Sequence, residues 1–95
     1  MPVIFVATHT RPDTSVPFYT FTEAEAAHFR IAQDAGLVTR RDEYSDDQLI
    51  KTVVRTFVTP EAYAAHVADS FIPQVSIARE LYNAQHGHTS EFSQS

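Results

Sequence analysis

A polar hairpin that runs straight into a capped helix constrains the fold of this chain more than any other feature. Val38–Tyr44 has the composition of a polar strand, residues 45–47 (Ser-Asp-Asp) supply a turn, and Leu49–Val58 is a long strand rich in β-branched residues. Residues 59–61 (Thr-Pro-Glu) then start a helix with an N-cap, a first-turn proline and a carboxylate beside the positive end of the dipole. The sequence therefore predicts two antiparallel strands followed by a helix.

One strand and one helix are predicted ahead of this hairpin. Val3–Thr8 is apolar on both faces, which is typical of a central strand that is covered on two sides. After a loop that contains two prolines, Thr22 and Glu25 stand at the spacing of a capping box. Gly36 is placed to end the helix in a left-handed conformation.

The helix that starts at residue 59 is expected to kink or restart at Pro73, because proline has no N–H to donate to the preceding turn. It then continues to residues 86–87 (His-Gly). Residues 1–87 are expected to form a single domain, and residues 88–95 a polar tail or a weak edge strand. The inward stripe predicted for the last helical stretch is Ile77, Ala78, Leu81 and Tyr82.

The element order β-α-β-β-α, with a possible final strand, predicts an α+β fold. The expected architecture is a split βαβ (ferredoxin-like) antiparallel sheet with two helices on one face, with the first and third strands central and the polar second strand at an edge. On the third strand, Ile50, Val54 and Val58 are expected to face the helices. The other face of the sheet, carrying Leu49, Val53 and Phe57, is then predicted to mediate self-association or docking onto another protein.

Composition excludes several classes of function. Ninety-five residues suit one domain, and seven Lys and Arg against twelve Asp and Glu give a net charge of −5. No basic face for phosphate contacts is visible, so no nucleic-acid partner is expected. The chain has no cysteine, which excludes thiolate chemistry and Cys-ligated metals, and no cofactor is predicted. No apolar run approaches membrane-spanning length, so the expectation is a soluble cytoplasmic protein without a membrane partner.

Two of the five histidines are candidate pocket residues. His9 ends the first strand, where loops gather, and His66 lies in the middle of a helix. His86 and His88 lack a nearby third ligand, so no metal site is predicted there, and histidine is favoured at a helix C-terminus in any case.

Pro2 offers a different chemistry. If Met1 is removed, the first strand begins with a free secondary amine, which resembles the proline that the tautomerase superfamily uses as a general base or nucleophile. Such an amine needs burial and a nearby cation, for example Arg11 or Arg40, to lower its pKa.

Residues 38–71 resemble the second half of the antibiotic biosynthesis monooxygenase-like families of dimeric α/β-barrels. The likeness rests on the hairpin and on the helix motif Glu61-Ala-Tyr-Ala-Ala-His66. In those families two split βαβ sheets pack face to face. The resemblance implies a dimeric enzyme with a small apolar substrate between sheet and helices, and His66 as a pocket residue.

Three other segments are similar to small uncharacterised proteins encoded by tailed phages of marine bacteria, some of which travel in the virion. These segments are Thr10–Val16, Ser45–Thr52 and Ala78–Gly87. This resemblance implies a non-catalytic assembly module that binds itself or another structural protein, in the virion if the chain is phage-encoded.

The assembly hypothesis is favoured over the enzyme at this stage. One structural feature separates the two. An enzyme needs a concave pocket with convergent polar groups, whereas an assembly module needs a flat apolar face and a filled interior.

Overall fold

Seven elements follow one another along residues 1–95 in the computed structural model. They are β1 (Val3–Thr10), α1 (Glu23–Asp34), β2 (Val38–Tyr44), β3 (Ile50–Phe57), α2 (Pro60–Ala68), α3 (Phe71–His86) and β4 (Thr89–Gln94). The strands form one antiparallel sheet in the order β2-β3-β1-β4. The predicted α+β class is confirmed, and β1 and β3 are central as expected.

The helices number three instead of two, because the second predicted helix is interrupted at residues 69–70. Asp69 leaves the helical conformation with ψ 117°, and its carboxylate oxygen Oδ1 accepts a hydrogen bond from the Phe71 amide at 3.0 Å. Pro73 lies in the first turn of α3, where its missing N–H leaves no helical bond unmade. The restart therefore comes before the proline, and Asp69 supplies the polar contact at the start of the new helix.

Residues 88–95, the predicted tail or weak edge strand, contain β4. This strand pairs with β1 from Thr10 opposite Thr89 to Phe5 opposite Gln94. Two further backbone hydrogen bonds between Ile4 and Ser95, at 3.1 and 2.9 Å, extend the ladder. The edge strand therefore brings the side chains of residues 90 and 92 onto the same sheet face as the odd-numbered residues of β1.

Local capping sets the helix boundaries as the sequence predicts. The Thr22 hydroxyl accepts a hydrogen bond from the Glu25 amide at 3.2 Å, while the Glu25 carboxylate accepts one from the Thr22 amide at 3.0 Å. Thr59 caps α2 in the same way by accepting from the Ala62 amide at 3.1 Å. Gly87 ends α3 with φ 70°, a left-handed conformation that glycine adopts without strain.

The predicted assignment of sheet faces is wrong. Val53 and Phe57 are each only 2% exposed and lie under the helices, whereas Ile50 is 40% exposed on the open face. Leu49, just before β3, is half-buried. Both faces of β3 carry β-branched residues, so their hydrophobicity does not separate them. The aromatic ring of Phe57 decides the orientation, because it has the most apolar surface to bury.

The core is concentrated at one end of the sheet. Val3, Phe57 and Val38 lie side by side across β1, β3 and β2, and all three are buried. The Phe57 ring meets the ring of Tyr63 from α2, with centroids 5.3 Å apart. This end also has a small cavity of about 150 Å³, whose lining includes Phe57, Leu37 and Ala62.

The face assignment predicts different costs for two truncations on β3. Phe57→Ala should lower the free energy of unfolding by about 3–5 kcal/mol, because it leaves a cavity in the core. Ile50→Ala, on the open face, should lower it by about 1 kcal/mol or less. Urea unfolding followed by circular dichroism measures both. A larger loss for Ile50→Ala would show that the helices cover the other face.

Candidate functional site

A cavity of about 270 Å³ lies between the sheet and the helices. Its floor comes from all four strands, its roof from α1, α2 and α3, and one side from the segment Phe18–Phe21 that leads into α1. The lining residues are Phe5, Ala7, His9, Phe18, Tyr19, Thr20, Phe21, Phe29, Arg40, Lys51, Val53, Arg55, His66, Ile72, Val75, Ser76, Arg79, Asn83 and Phe92.

The stripe of α3 that faces the cavity differs from the predicted one. Ile72, Val75, Arg79 and Asn83 lie on this side, at the three- and four-residue spacing of one helix face. Ile77 and Leu81, which were expected to face inward, are each 62% exposed. The hydrophobic pattern fails here because α3 turns polar side chains toward the sheet.

Cationic side chains converge on this cavity. Four of the seven Lys and Arg residues of the chain line it, and its lining contains no carboxylate. Arg40 and Arg55 lie directly opposite each other on β2 and β3. Like charges in directly opposed positions destabilise a sheet, so this pair lowers the stability of the fold unless an anion offsets its charge.

Asp42, just outside the cavity, neutralises part of this charge. Its carboxylate accepts hydrogen bonds from Arg40 Nε at 2.8 Å and Nη2 at 3.1 Å, and lies 3.8 Å from the Lys51 ammonium. Burial alone would raise the pKa of Asp42, but the hydrogen bonds and charge of Arg40 and the charge of Lys51 lower it. Arg40 and Lys51 therefore share one carboxylate.

Arg55 has no counterion of its own. It takes part in none of the ion pairs of the chain, and burial, reinforced by the charge of Arg40, lowers its pKa to about 10. The guanidinium remains charged at neutral pH. Its Cζ atom lies 5.8 Å from the ring centroid of Phe29.

Arg79 is also incompletely satisfied. Its Nη2 atom lies 3.5 Å from the carboxylate of Glu80, which is mostly in solvent, and its buried Nε atom has no hydrogen-bond partner. The guanidinium is placed over the Phe92 ring, 4.6 Å from its centroid. A stacked guanidinium keeps the N–H groups at its edge free to donate to an anion.

Aromatic rings form the apolar part of the wall. Phe5 stacks on Phe92 with centroids 5.8 Å apart, and Phe21 stacks on Phe29 at 4.8 Å. The segment before α1 is held in place by the Tyr19 hydroxyl, which donates to Glu25 at 2.7 Å, and by the Tyr82 hydroxyl, which donates to the Pro17 carbonyl. The cavity therefore combines a fixed aromatic wall with cationic groups.

His9, a predicted pocket residue, lies in the cavity. Its Nδ1 atom is 2.7 Å from the Ser90 hydroxyl, which also accepts a hydrogen bond from the Asn83 amide at 2.9 Å. Burial lowers the pKa of His9 to about 4, and the positive charges of Arg79 and Lys51 add to the effect. The imidazole is therefore neutral at pH 7.

His66, the other predicted pocket residue, also lines the cavity. Its ring centroid lies 5.0 Å from that of Phe57. Burial, with the charge of Arg55, lowers the pKa of His66.

Pro2 is exposed and does not line the cavity, so the burial that a catalytic amine needs is not met. Arg40 lies in the cavity, whereas Arg11 donates to the Gln48 and Val16 carbonyls.

Three of the four cations that line this site, Lys51, Arg55 and Arg79, are not among the residues predicted from the sequence. Lys51 and Arg55 flank Val53 in steps of two along β3, and Phe57 completes the same face. Charged residues on a face that also carries a large aromatic residue are a signal of a covered polar site. This signal was overlooked because Val53 and Phe57 were assigned to the open face.

Comparisons with known proteins give no relative: no family model, no curated protein and no solved structure matches this chain. No group of three or more potential ligands is arranged to hold a metal ion. No helix is long and apolar enough to cross a lipid bilayer.

The neutral state of His9 predicts a pH dependence of stability. Because its folded pKa is about 4 and its unfolded pKa about 6.5, the unfolded chain binds the extra proton between these values. Stability should therefore fall as the pH drops from 6.5 toward 4. His9→Gln should reduce this loss by about 1–2 kcal/mol after solvent screening. Urea unfolding of both proteins across this range measures the difference, and parallel curves would contradict it.

Proposed function

We propose that this chain is a small-molecule-binding domain whose ligand occupies the cavity between the sheet and the helices. The observation that carries the proposal is an aromatic-lined cavity on which several polar groups converge. An engineered cavity of roughly 150 Å³ accommodates benzene. A volume of about 270 Å³ therefore fits one aromatic ring with a short substituent.

The cavity favours the ligand-binding hypothesis over the assembly hypothesis. A concave pocket with convergent polar groups is what distinguishes the two, and an assembly module has no need of a cationic interior. The assembly role that the phage-like segments suggest stays a prediction.

Binding is better supported than catalysis. The pKa of His9 is lowered to about 4, which makes this imidazole a poor proton acceptor at neutral pH. It is a good hydrogen-bond partner for a ligand, since the chain Asn83–Ser90–His9 fixes its ring. The enzymatic alternative, with His66 as the proton acceptor, is the less supported form of the proposal because burial lowers that pKa as well.

Filling the cavity should abolish binding. Phenylacetate and its neutral analogue phenylacetamide are single-ring probes of the right size. At least one should bind to the parent protein in ligand-observed NMR titrations. Ala7→Leu, which adds side-chain volume at a cavity position that is 2% exposed, should weaken that binding by about tenfold or more.

The matched control is Ala27→Leu on the exposed surface of α1, which should bind like the parent. Failure of both probes to bind the parent protein would contradict the proposed function. Equal binding by Ala7→Leu and the parent would place the ligand elsewhere.

Self-association through the sheet is a second proposal, on different residues from those predicted. Val53 and Phe57 are inside the chain, whereas Ile4 and Ile50, on the two central strands, are 39% and 40% exposed on the open face. They lie at opposite ends of the paired strands, and Val6 and Val54, which are half-buried, lie between them on the same face. This face offers β-branched side chains to a second copy, as the likeness to the dimeric α/β-barrels implies.

Light scattering tests this proposal. The parent should have the mass of a dimer, Ile50→Lys should be monomeric, and Ile77→Lys should remain dimeric because Ile77 lies on the outer surface of α3. A monomeric parent, or a dimer that only Ile77→Lys disrupts, would contradict association through the sheet.

A further inference from the structure

We infer that the cavity binds an organic carboxylate, with Arg55 and Arg79 holding the anion and the aromatic wall holding its apolar body. This inference rests on the proposed function and specifies its ligand class. It begins from charge, because four cationic side chains line the cavity of a protein whose net charge is −5. The positive charge is concentrated where the ligand would bind.

The four cations are not equivalent. Arg40 and Lys51 already share the Asp42 carboxylate. Arg55 has no carboxylate within 4.0 Å and feels the charge of Asp42 only at longer range, and Arg79 has only the solvent-exposed Glu80 at 3.5 Å. Two guanidinium groups are therefore left to bind a negatively charged group in the cavity.

The hydrogen-bonding capacity of these two side chains also favours a carboxylate ligand. A guanidinium has five N–H donors in a fork that matches the two oxygens of a carboxylate. The Nε–H of Arg79 is buried without an acceptor, and a buried donor of this kind costs free energy until a partner arrives. A bound carboxylate would supply the missing acceptor.

The wall favours an organic anion over inorganic phosphate. Phe5 and Phe92 present stacked rings beside the guanidinium of Arg79. An apolar body can bury surface against these rings, which a free phosphate ion cannot. The volume of about 270 Å³ limits that body to the size of a single ring.

A matched pair of ligands separates charge from shape. Phenylacetate and phenylacetamide have nearly the same size and differ in charge. In calorimetric or NMR titrations of the parent protein, phenylacetate should bind at least about tenfold more tightly. Equal affinity, or tighter binding of the amide, would overturn the carboxylate inference and leave the proposed function intact. Displacement of phenylacetate by millimolar inorganic phosphate would assign the site to anions in general and also overturn it.

Variants at the two arginines test their roles. Arg55→Met and Arg79→Met should each weaken phenylacetate binding by about tenfold or more and leave phenylacetamide binding within about threefold. Arg41→Met is the control, because Arg41 neighbours Arg40 in β2 and pairs with Glu43 at 2.8 Å outside the cavity. An equal loss in Arg41→Met would indicate a general effect of net charge and overturn the assignment.

A structural role for Arg55 would give a different signature. If Arg55 serves binding and not the stability of the fold, Arg55→Met should raise the melting temperature. The reason is that the variant lacks an uncompensated charge directly opposite Arg40. A lower melting temperature would assign Arg55 to holding the fold. Arg79→Met provides the same binding measurement at a second position, so the inference stays testable if one variant folds poorly.

Discussion

The repulsion between Arg40 and Arg55, directly opposed on neighbouring strands, controls how the layers of this protein meet. An apolar helix face cannot close over two guanidinium groups that share little countercharge, because burying them would cost several kcal/mol per ion. The apolar cluster of Val3, Val38 and Phe57 lies at one end of the sheet, and the larger cavity lies where the cationic side chains converge. Charge and cavity therefore coincide.

The aromatic residues allow the cationic side chains to lie between the sheet and the helices. Guanidinium groups are weakly hydrated and stack on aromatic faces, which lets Arg55 and Arg79 lie under the helices beside Phe29 and Phe92. The guanidinium Cζ atoms lie 5.8 Å and 4.6 Å from the centroids of these two rings. Asp42 reduces the total charge enough for four cations to share one space.

Local chemistry made the fold predictable, and the site was predictable only in part. Capping by Thr22 and Thr59, and the left-handed glycine at position 87, act over a few residues and are visible in the sequence. His9 and His66 were predicted from their positions, one at the end of a strand and the other in the middle of a helix. The predicted face of β3 was wrong because both of its faces carry apolar residues, and that of α3 was wrong because Arg79 and Asn83 lie on its inward side.

The reason for that error is physical. Near the cavity, Lys51 and Arg79 are turned inward while Ile50 and Ile77 are exposed, so the amphipathic pattern is locally inverted. Hydrophobic patterning reports the burial of a packed core. It does not identify the covered face where charged side chains line the interior, as they do in this cavity.

The position of β1 in the sheet has a consequence for the order of folding. This strand lies between β3 and β4, and the hydrogen bond between His9 and Ser90 joins residues 81 positions apart. The hairpin of β2 and β3 closes over a short loop and forms early, whereas pairing across such a separation is slow. We therefore expect the wall that contains Ser90 and Phe92 to assemble last, after the hairpin has formed.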